Sequence, residues 1–271
     1  MRFVCLVSAC VITLLGCATG NDYARQTKEL ERKDSPYSFH RSVANALLRT
    51  KQPNRAVPHI QRMLKFNPES AEAHNLLGRA FLDMKLYDQA RKKAKRAIEL
   101  DKEFAPAHGL LGVLMDLQGK HEEAEKEHRL AVSLDKQAAS YQNNLGFGLY
   151  LQGRYSEALK AYTAALDRDA ALRRVHNNIG FAYMKMGRPK LAFTHFRLAG
   201  DVSEANTNMG FAYETTGKIE LAYERYMKAL NVNPKQRRAR QNLTRVCELL
   251  GKPMPVLQET EPKKAKEQAT K

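Results

Sequence analysis

Residues 139–172 read ASYQNNLGFGLYLQGRYSEALKAYTAALDRDAAL, and the spacing of small residues in this stretch decides the fold. Gly146 lies 34 residues after Gly112 and 34 before Gly180, while Gly78 stands one period earlier and Gly210 follows 30 residues later. Alanines recur 12 and 19 residues after each glycine, at positions 90, 124, 158, 192 and 222 and at positions 97, 131, 165, 199 and 229. The chain is therefore an array of repeats.

The recurring glycines predict close contact between helices. A glycine inside a helix costs about 1 kcal/mol relative to alanine, so glycines at equivalent helical positions indicate that a second helix lies against each one. We predict that the alanines form the other side of this contact. An apolar residue precedes each glycine and another follows three residues later, which is the spacing of one helix face. A second set of glycines, at 119, 153, 187 and 217, is predicted to form the turn between two helices.

The 34-residue period with small residues at fixed offsets resembles the tetratricopeptide repeat, a helix-turn-helix unit. The resemblance implies an all-α, right-handed superhelical solenoid of six repeats followed by a capping helix. The predicted repeats are 37–70, 71–104, 105–138, 139–172, 173–202 and 203–234, and the predicted cap is 235–250. Residues 251–271 are predicted to be a disordered basic tail.

One repeat is shorter than the others. Gly200 follows Ala199 directly, so the repeat at 173–202 lacks four residues of the 34-residue period. We predict that its second helix loses the last turn and ends at Gly200. A local change of superhelical pitch is predicted between the fifth and sixth repeats.

The N-terminus has the pattern of an export signal. Residues 1–16 carry one cation, Arg2, and then an apolar stretch that is too short to cross a bilayer. The sequence Leu14-Leu15-Gly16-Cys17 resembles a bacterial lipobox, which implies acylation of Cys17 and a polar linker at 17–36. Ala18 then implies sorting to the outer membrane, facing the periplasm. The alternative is an ordinary signal peptide that is cut at Ala18 or later.

The chain is basic and poor in cysteine once the signal is removed. Lys and Arg number 45 against 29 Asp and Glu, a formal charge of +16, which becomes +15 without Arg2. The excess predicts attraction to anionic envelope surfaces or acidic partners, and the alternative is a solvated surface without a role. With Cys17 acylated, Cys247 alone remains in the mature domain, so no internal disulfide is possible.

No catalytic motif occurs in the sequence, which argues against an enzyme and implies neither cofactor nor metal. His121 and His128 lie seven residues apart, too far for the usual i, i+4 chelation of one ion. His74, His108 and His176 recur at the fourth position of their repeats. We predict that these three are packed or capped, and the alternative is a pH-sensitive or ligating role. The sequence contains no base-stacking module, so nucleic acid is not an expected partner.

In a tetratricopeptide solenoid the first helices line the inner groove, chiefly through positions 2, 5, 9 and 12 of each repeat. The resemblance therefore implies a peptide-binding groove, with a phenylalanine ladder and neighbouring amides in the last three repeats. The predicted groove residues are Asn75, Arg79, Asn143, Asn144, Phe147, Tyr150, Asn177, Asn178, Phe181, Met184, Asn208 and Phe211. An exposed aromatic row is typical of a binding site, and an amide can both donate to and accept from a peptide backbone.

Other roles are open for this surface. Asn144, Asn178 and Asn208 match the repeat consensus, so their alternative role is in the scaffold. The groove could also be closed by the chain's own tail or linker. A carboxylate clamp of the kind that holds chaperone C-termini needs three cations. From the fourth repeat onward the corresponding residues are Asn143, Phe147, Asn178, Glu204 and Asn208. We therefore predict no clamp there.

Residues 143–155, NNLGFGLYLQGRY, and residues 196–200, FRLAG, are similar to the TadD-type lipoproteins of Flp/Tad pilus assembly. The resemblance implies a non-enzymatic adaptor lipoprotein that binds extended or helical protein segments during assembly of a pilus or secretion system in the bacterial envelope. Two alternatives are a pilotin-like secretin chaperone of type IV pili and a scaffold for peptidoglycan-modifying enzymes.

Overall fold

The structure is a computed structural model that describes residues 36–256. The export signal, Cys17, nearly all of the linker and most of the tail lie outside the described residues. Within residues 36–256 the chain forms thirteen α-helices and no strand, in agreement with the predicted all-α fold. No helix in this range is both long and apolar enough to cross a membrane. The helices are α1 (Pro36–Arg49), α2 (Pro53–Phe66), α3 (Ala71–Asp83), α4 (Tyr87–Leu100), α5 (Ala105–Asp116), α6 (His121–Leu134), α7 (Ala139–Leu151), α8 (Tyr155–Leu166), α9 (Arg173–Lys185), α10 (Pro189–Ala199), α11 (Val202–Glu214), α12 (Ile219–Val232) and α13 (Arg237–Leu250).

The chain divides into two compact units between Gly148 and Leu149, called here the N-terminal and the C-terminal unit. Turns of three or four residues join α1 to α2, α3 to α4 and α5 to α6, so each pair is a helical hairpin. In the N-terminal unit, one hydrophobic cluster centres on Phe39, Leu47 and Ile60, and another on Leu110 and Leu114. Helix α7 runs through the division.

The C-terminal unit has its own core, made by the hairpins α9–α10 and α11–α12 together with α13. Phe196, Met209 and Tyr226 are fully buried there. Helix α13 buries the face that carries Leu243 and Cys247, and its other face is polar. Burial raises the pKa of the Cys247 thiol, so this cysteine has a structural role rather than a reactive one.

The turns inside the hairpins share one left-handed residue. Gly119, Gly153, Gly187 and Gly217 have φ between 71° and 77°, which confirms the predicted turn glycines. In the first two repeats the same position is occupied by Lys51 and Lys85, with φ of 57° and 61°. A residue with a Cβ adopts this region at a cost of about 1–2 kcal/mol, so these two lysines are strained where the later repeats are not.

Lys85→Gly is expected to stabilise the N-terminal unit by about 0.5–1 kcal/mol. Removing the Cβ relieves the strain of the left-handed conformation in the folded state. Glycine also increases the conformational entropy of the unfolded chain, but this destabilising effect is smaller. The measurement is the urea midpoint of the helical circular dichroism. Gly119→Ala is the matched reverse change, because a Cβ there would have no neighbour within 4 Å in the described part of the chain, and it should lower stability by a similar amount. Destabilisation by Lys85→Gly would contradict the argument.

In three of the repeats the atoms nearest to the helical glycine belong to an aromatic ring, which the predicted contact with alanine did not include. A Cβ built on Gly112 would lie 2.6 Å from the ring of His128, and one on Gly180 would lie 2.5 Å from the ring of Phe196. Gly210 has the same relation to Tyr226. The ring always comes 16 residues after the glycine, a recurrence that could have been found in the sequence. Gly78 differs, because its neighbours are a methyl group of Leu110 and the carbonyl oxygen of Ala90.

The shortened repeat ends its second helix early. Helix α10 has 11 residues against 14 for α12, and its C-terminal neighbour Gly200 is extended, which confirms the predicted end of the helix. Asp201 then begins α11 as an N-cap, accepting from the Glu204 amide at 2.7 Å while the Glu204 carboxylate accepts from the Asp201 amide. The change of superhelical pitch stays a prediction.

Candidate functional site

In the N-terminal unit the predicted groove residues differ in their access to solvent. Phe147 is 43% exposed and Arg79 is also exposed. Asn75 and Asn143 are buried, and the side-chain oxygen of Asn75 has no hydrogen-bond partner within residues 36–256. Asn144 is half-buried and its side-chain oxygen lies 3.5 Å from the Asn143 amide nitrogen. The surface of this unit therefore offers an aromatic ring and a cation, whereas its amides face the interior.

In the C-terminal unit two predicted amides bind each other. The Asn208 amide nitrogen donates to the side-chain oxygen of Asn177 at 2.9 Å, so helix α11 is joined to α9 at this point. Asn208 is buried and Asn177 is half-buried. Asn178, Tyr150 and Met184 are half-buried as well.

The phenylalanines of the C-terminal unit form a short aromatic row. Phe181 contacts Phe211 edge to face, with ring centroids 6.0 Å apart, and contacts the buried Phe196 at 5.0 Å. Phe211 is 39% exposed and Phe181 is half-buried. The Phe181 ring is thus packed against the core, whereas the Phe211 ring is partly exposed to solvent.

A pocket of about 310 Å³ lies in the C-terminal unit. Its lining residues come from α9, the end of α10, α11 and α13, and they are Arg173, Arg174, Asn177, Ala199, Gly200, Glu204, Asn208 and Arg238. The early end of α10 at Gly200 contributes one side of it. The sequence pattern does not indicate this pocket, because α13 follows the last repeat as a cap and Arg238 lies outside the repeats.

Ion pairing occupies part of this pocket. Arg173 donates to the Glu204 carboxylate at 3.1 Å and to the Ala199 carbonyl oxygen. Arg238 lies 3.5 Å from the side-chain oxygen of Asn208. The guanidinium of Arg174 is exposed and makes no ion pair in the part of the chain that the structure describes.

Two acidic side chains of the first helices are largely enclosed, since Asp116 is buried and Glu214 is half-buried. In the N-terminal unit the Asp116 carboxylate accepts from His121 Nδ1 and from His128 Nε2, both at 2.9 Å. In the C-terminal unit Glu214 accepts from the Tyr226 hydroxyl at 2.8 Å and from Arg245 of α13 at 2.7 Å. Asp116 therefore binds the His128 ring that lies against Gly112, and Glu214 binds the Tyr226 ring that lies against Gly210.

These contacts govern the ionisation of Glu214. Burial acts to raise the pKa of its carboxyl group, but the hydrogen bonds from Arg245 and Tyr226 outweigh burial and hold the pKa below its usual value. Burial and the neighbouring Glu214 carboxylate raise the pKa of Tyr226. Glu214 thus stays charged and ties the last helix to the preceding repeat.

The recurring histidines are packed, and their partners lie 19 residues further along the chain. The contacts are His40 Nδ1 to His59 Nδ1 at 2.9 Å, His108 Nδ1 to the Glu127 carboxylate at 2.7 Å, and His176 Nδ1 to His195 Nδ1 at 3.2 Å. His74 instead binds the Pro68 carbonyl oxygen at 3.1 Å. Burial, together with the adjacent His40 ring, lowers the pKa of His59 to about 4, and burial also lowers that of His176. Among residues 36–256 no group of three or more His, Cys, Asp or Glu side chains could hold a metal ion.

Family models identify the class of protein. A model described as "TPR repeat" matches residues 148–187, and two described as "Tetratricopeptide repeat" match residues 44–102 with 78–141 and residues 203–236. The chain is therefore built from tetratricopeptide repeats, and its fold is the all-α fold of protein-binding scaffolds. No curated protein matches the sequence significantly.

Solved structures share this fold at low sequence identity. One is described as the APC/C hetero-tetramer Cut9–Hcn1, at 17% identity and TM-score 0.65, covering 90% of this chain and 49% of that chain. Another, on pilF of Pseudomonas aeruginosa, has 16% identity and TM-score 0.59 and covers 78% of this chain and 98% of that one. The repeat protein YrrB has 19% identity and TM-score 0.48, with coverage of 66% and 95%. The chain thus spans about half the length of the Cut9 structure that it matches.

Proposed function

We propose that the protein is a non-catalytic scaffold that binds segments of other proteins on the first helices of its repeats. The observation that carries the proposal is the exposure of Phe147 in the N-terminal unit and Phe211 in the C-terminal unit, at the ninth position of their repeats. The fully buried aromatic rings of the described core lie at other positions of the repeats, among them that of Phe196 and Tyr226, so the fold does not need an exposed ring at the ninth. Exposed aromatic side chains at equivalent places are typical of a surface for a partner.

The proposed location is the bacterial envelope, with the chain anchored by lipid at Cys17 and facing the periplasm from the outer membrane. The support is the lipobox-like sequence before Cys17 and the apolar stretch within residues 1–16. More than one acyl chain would give a stable anchor. Loss of the protein from the membrane fraction on Cys17→Ala tests this location, and unchanged membrane association would argue against it.

The proposed process is assembly of a pilus or a secretion system. It rests on the similarity of residues 143–155 and 196–200 to TadD-type lipoproteins. The partner bound at the phenylalanines would then be a pilus or secretion component. A secretin as the main partner would favour the role of a pilotin-like chaperone. A peptidoglycan-modifying enzyme as the main partner would favour the role of a scaffold for such enzymes.

Site-specific crosslinking tests the binding function in cells. A photoreactive phenylalanine analogue placed at Phe147 or Phe211 is expected to form crosslinks with a defined envelope protein. Phe66 and Leu198 are matched control positions, because they are 57% and 58% exposed but lie on the second helices α2 and α10. The same crosslinks from the control positions would show that the first helices hold no specific partner. Mass spectrometry of the crosslinked peptide identifies the partner.

A further inference from the structure

We propose that the pocket of the C-terminal unit binds a carboxylate of the partner segment, next to an apolar side chain that lies on Phe211. The expected ligand is thus a protein segment in which Asp or Glu is adjacent to an aromatic or large aliphatic residue. This inference rests on the proposed function and names the chemistry of its ligand.

Hydrogen bonding at the pocket leaves donors rather than acceptors for a ligand. The Arg238 guanidinium can only donate, so the Asn208 side-chain oxygen must face it. The Asn208 amide nitrogen therefore faces Asn177 and donates to its side-chain oxygen. This arrangement leaves the Asn177 amide nitrogen as a donor without a partner in the described part of the chain. The orientation of both amides thus follows from the one arginine.

The charge balance of the pocket is positive. The pair of Arg173 and Glu204 is neutral as a whole, and Glu204 also serves the N-cap of α11. Arg174 and Arg238 add two positive charges that no carboxylate of the lining balances. Two guanidinium groups and an amide N–H₂ group are the donor set that a carboxylate accepts, because its two oxygens accept without donating.

The aromatic row lies on the same helix faces as the pocket. Phe181 follows Asn177 by four residues on α9, so the two side chains share one face of that helix. Phe211 follows Asn208 by three residues on α11 and contacts Phe181. A ligand residue beside the bound carboxylate would therefore meet an aromatic surface. This combination favours a protein segment over a lipid surface, which would need a broad exposed basic face rather than a concave pocket.

A peptide array probes the pocket with the full chain. The probes are ten-residue peptides of Gly and Ser with a variable three-residue centre, and the strongest are remeasured by fluorescence anisotropy. Centres such as Asp-Asp-Phe are expected to bind best, and Asn-Asn-Phe at least tenfold more weakly. R174E combined with R238E is expected to weaken the best peptide at least tenfold, since each change replaces a donor by a repelling carboxylate. Both side chains are exposed, so the fold should persist.

Matched variants separate this inference from the proposed function. R237E has the same charge change on the same helix but does not line the pocket, and it should alter affinity at most twofold. Binding that is lost in F211A but unchanged in the R174E and R238E double variant would overturn the carboxylate site and leave the scaffold function standing. Failure of every peptide with the unaltered chain, and no effect of F211A on partner crosslinking, would overturn both.

A competition experiment tests whether the pocket binds a peptide carboxylate or another anion. Inorganic phosphate and chloride are compared at equal ionic strength as competitors of the bound peptide, because screening alone would act equally in both. Stronger release by phosphate than by chloride is expected for a peptide with an acidic centre, because the guanidinium groups also bind phosphate oxygens. Equal release by the two salts would show screening alone and would overturn the carboxylate site. Stronger release by phosphate, together with an array that shows no acidic preference, would overturn the proposal in favour of a phosphate site.

Discussion

Asp116→Ala is expected to destabilise the N-terminal unit by about 3 kcal/mol. The carboxylate accepts from His121 and from His128, and the side chains of Asp116 and His128 are only 6% and 1% exposed. Its removal leaves the buried His128 N–H without an acceptor, at a cost of about 1–3 kcal/mol, and the lost bond from His121 adds to it. Among the described residues His128 Nδ1 has no hydrogen-bond partner, so after the substitution neither ring nitrogen of His128 would have one. The measurement is the urea midpoint of the circular dichroism signal.

The sixth repeat suggests the control for Asp116. There Tyr226 occupies the place of His128 and donates its hydroxyl to Glu214 at 2.8 Å. His128→Tyr should therefore keep a bond to Asp116 and cost less than about 1 kcal/mol. In a His128→Phe background, Asp116→Ala should cost clearly less than it does alone, because no buried imidazole N–H remains. Equal costs in the two backgrounds would show that the bond to His128 contributes little.

The helical hairpins could be predicted from the sequence because they depend on local spacing. The 34-residue period placed the turn glycines correctly, and the missing residues before Gly200 placed the early end of α10. Such features depend on the conformational preference of one residue or on chain length within one repeat. The strained turn at Lys85 was missed, since lysine carries no sign of a left-handed conformation.

The contacts between helices were harder to predict, because small residues show where a close approach occurs but not what approaches. The glycines pointed to a close contact, yet the atoms nearest to Gly180 belong to the ring of Phe196, which the spacing of small residues does not show. Likewise Asp116 has the spacing of a groove residue, and only the position of His128 across the hairpin shows that its carboxylate is buried.

The candidate site was predicted only in part for the same reason. Phe181 and Phe211 were recognised from their repeat positions, but whether their side chains bind a partner stays a prediction. The basic pocket needs Arg174 of α9 and Arg238 of α13, which are 64 residues apart. Arg174 lies in a repeat, whereas Arg238 lies in the helix that follows the last repeat. The repeat pattern relates residues within the repeats and does not show which side chains of the final helix lie against them. The pocket therefore became visible only with the packing of α13.

Gly180→Ala is expected to destabilise the C-terminal unit by about 2–3 kcal/mol, although alanine is the better helix former by about 1 kcal/mol. A Cβ at this position would lie 2.5 Å from the Phe196 ring, much closer than carbon atoms can approach. The ring is fully buried and lies edge-on against Phe181, so it has little room to move. Overpacking of this kind costs about 1–3 kcal/mol, and occasionally more when the neighbour is fixed. The urea midpoint by circular dichroism measures the effect.

A smaller ring partner should relieve the clash at Gly180. The variant Phe196→Leu leaves space beside the glycine, so Gly180→Ala is expected to cost less than about 1 kcal/mol in that background. Gly187→Ala serves as a contrast within the same hairpin. Its Cβ would meet no atom of the described residues within 4 Å, so its cost arises from the positive φ. Stabilisation by Gly180→Ala in the unaltered chain would show that helix propensity outweighs the clash and that the Phe196 ring can move. The Phe181 ring lies against Phe196, so the same movement would reach the aromatic surface proposed for the partner.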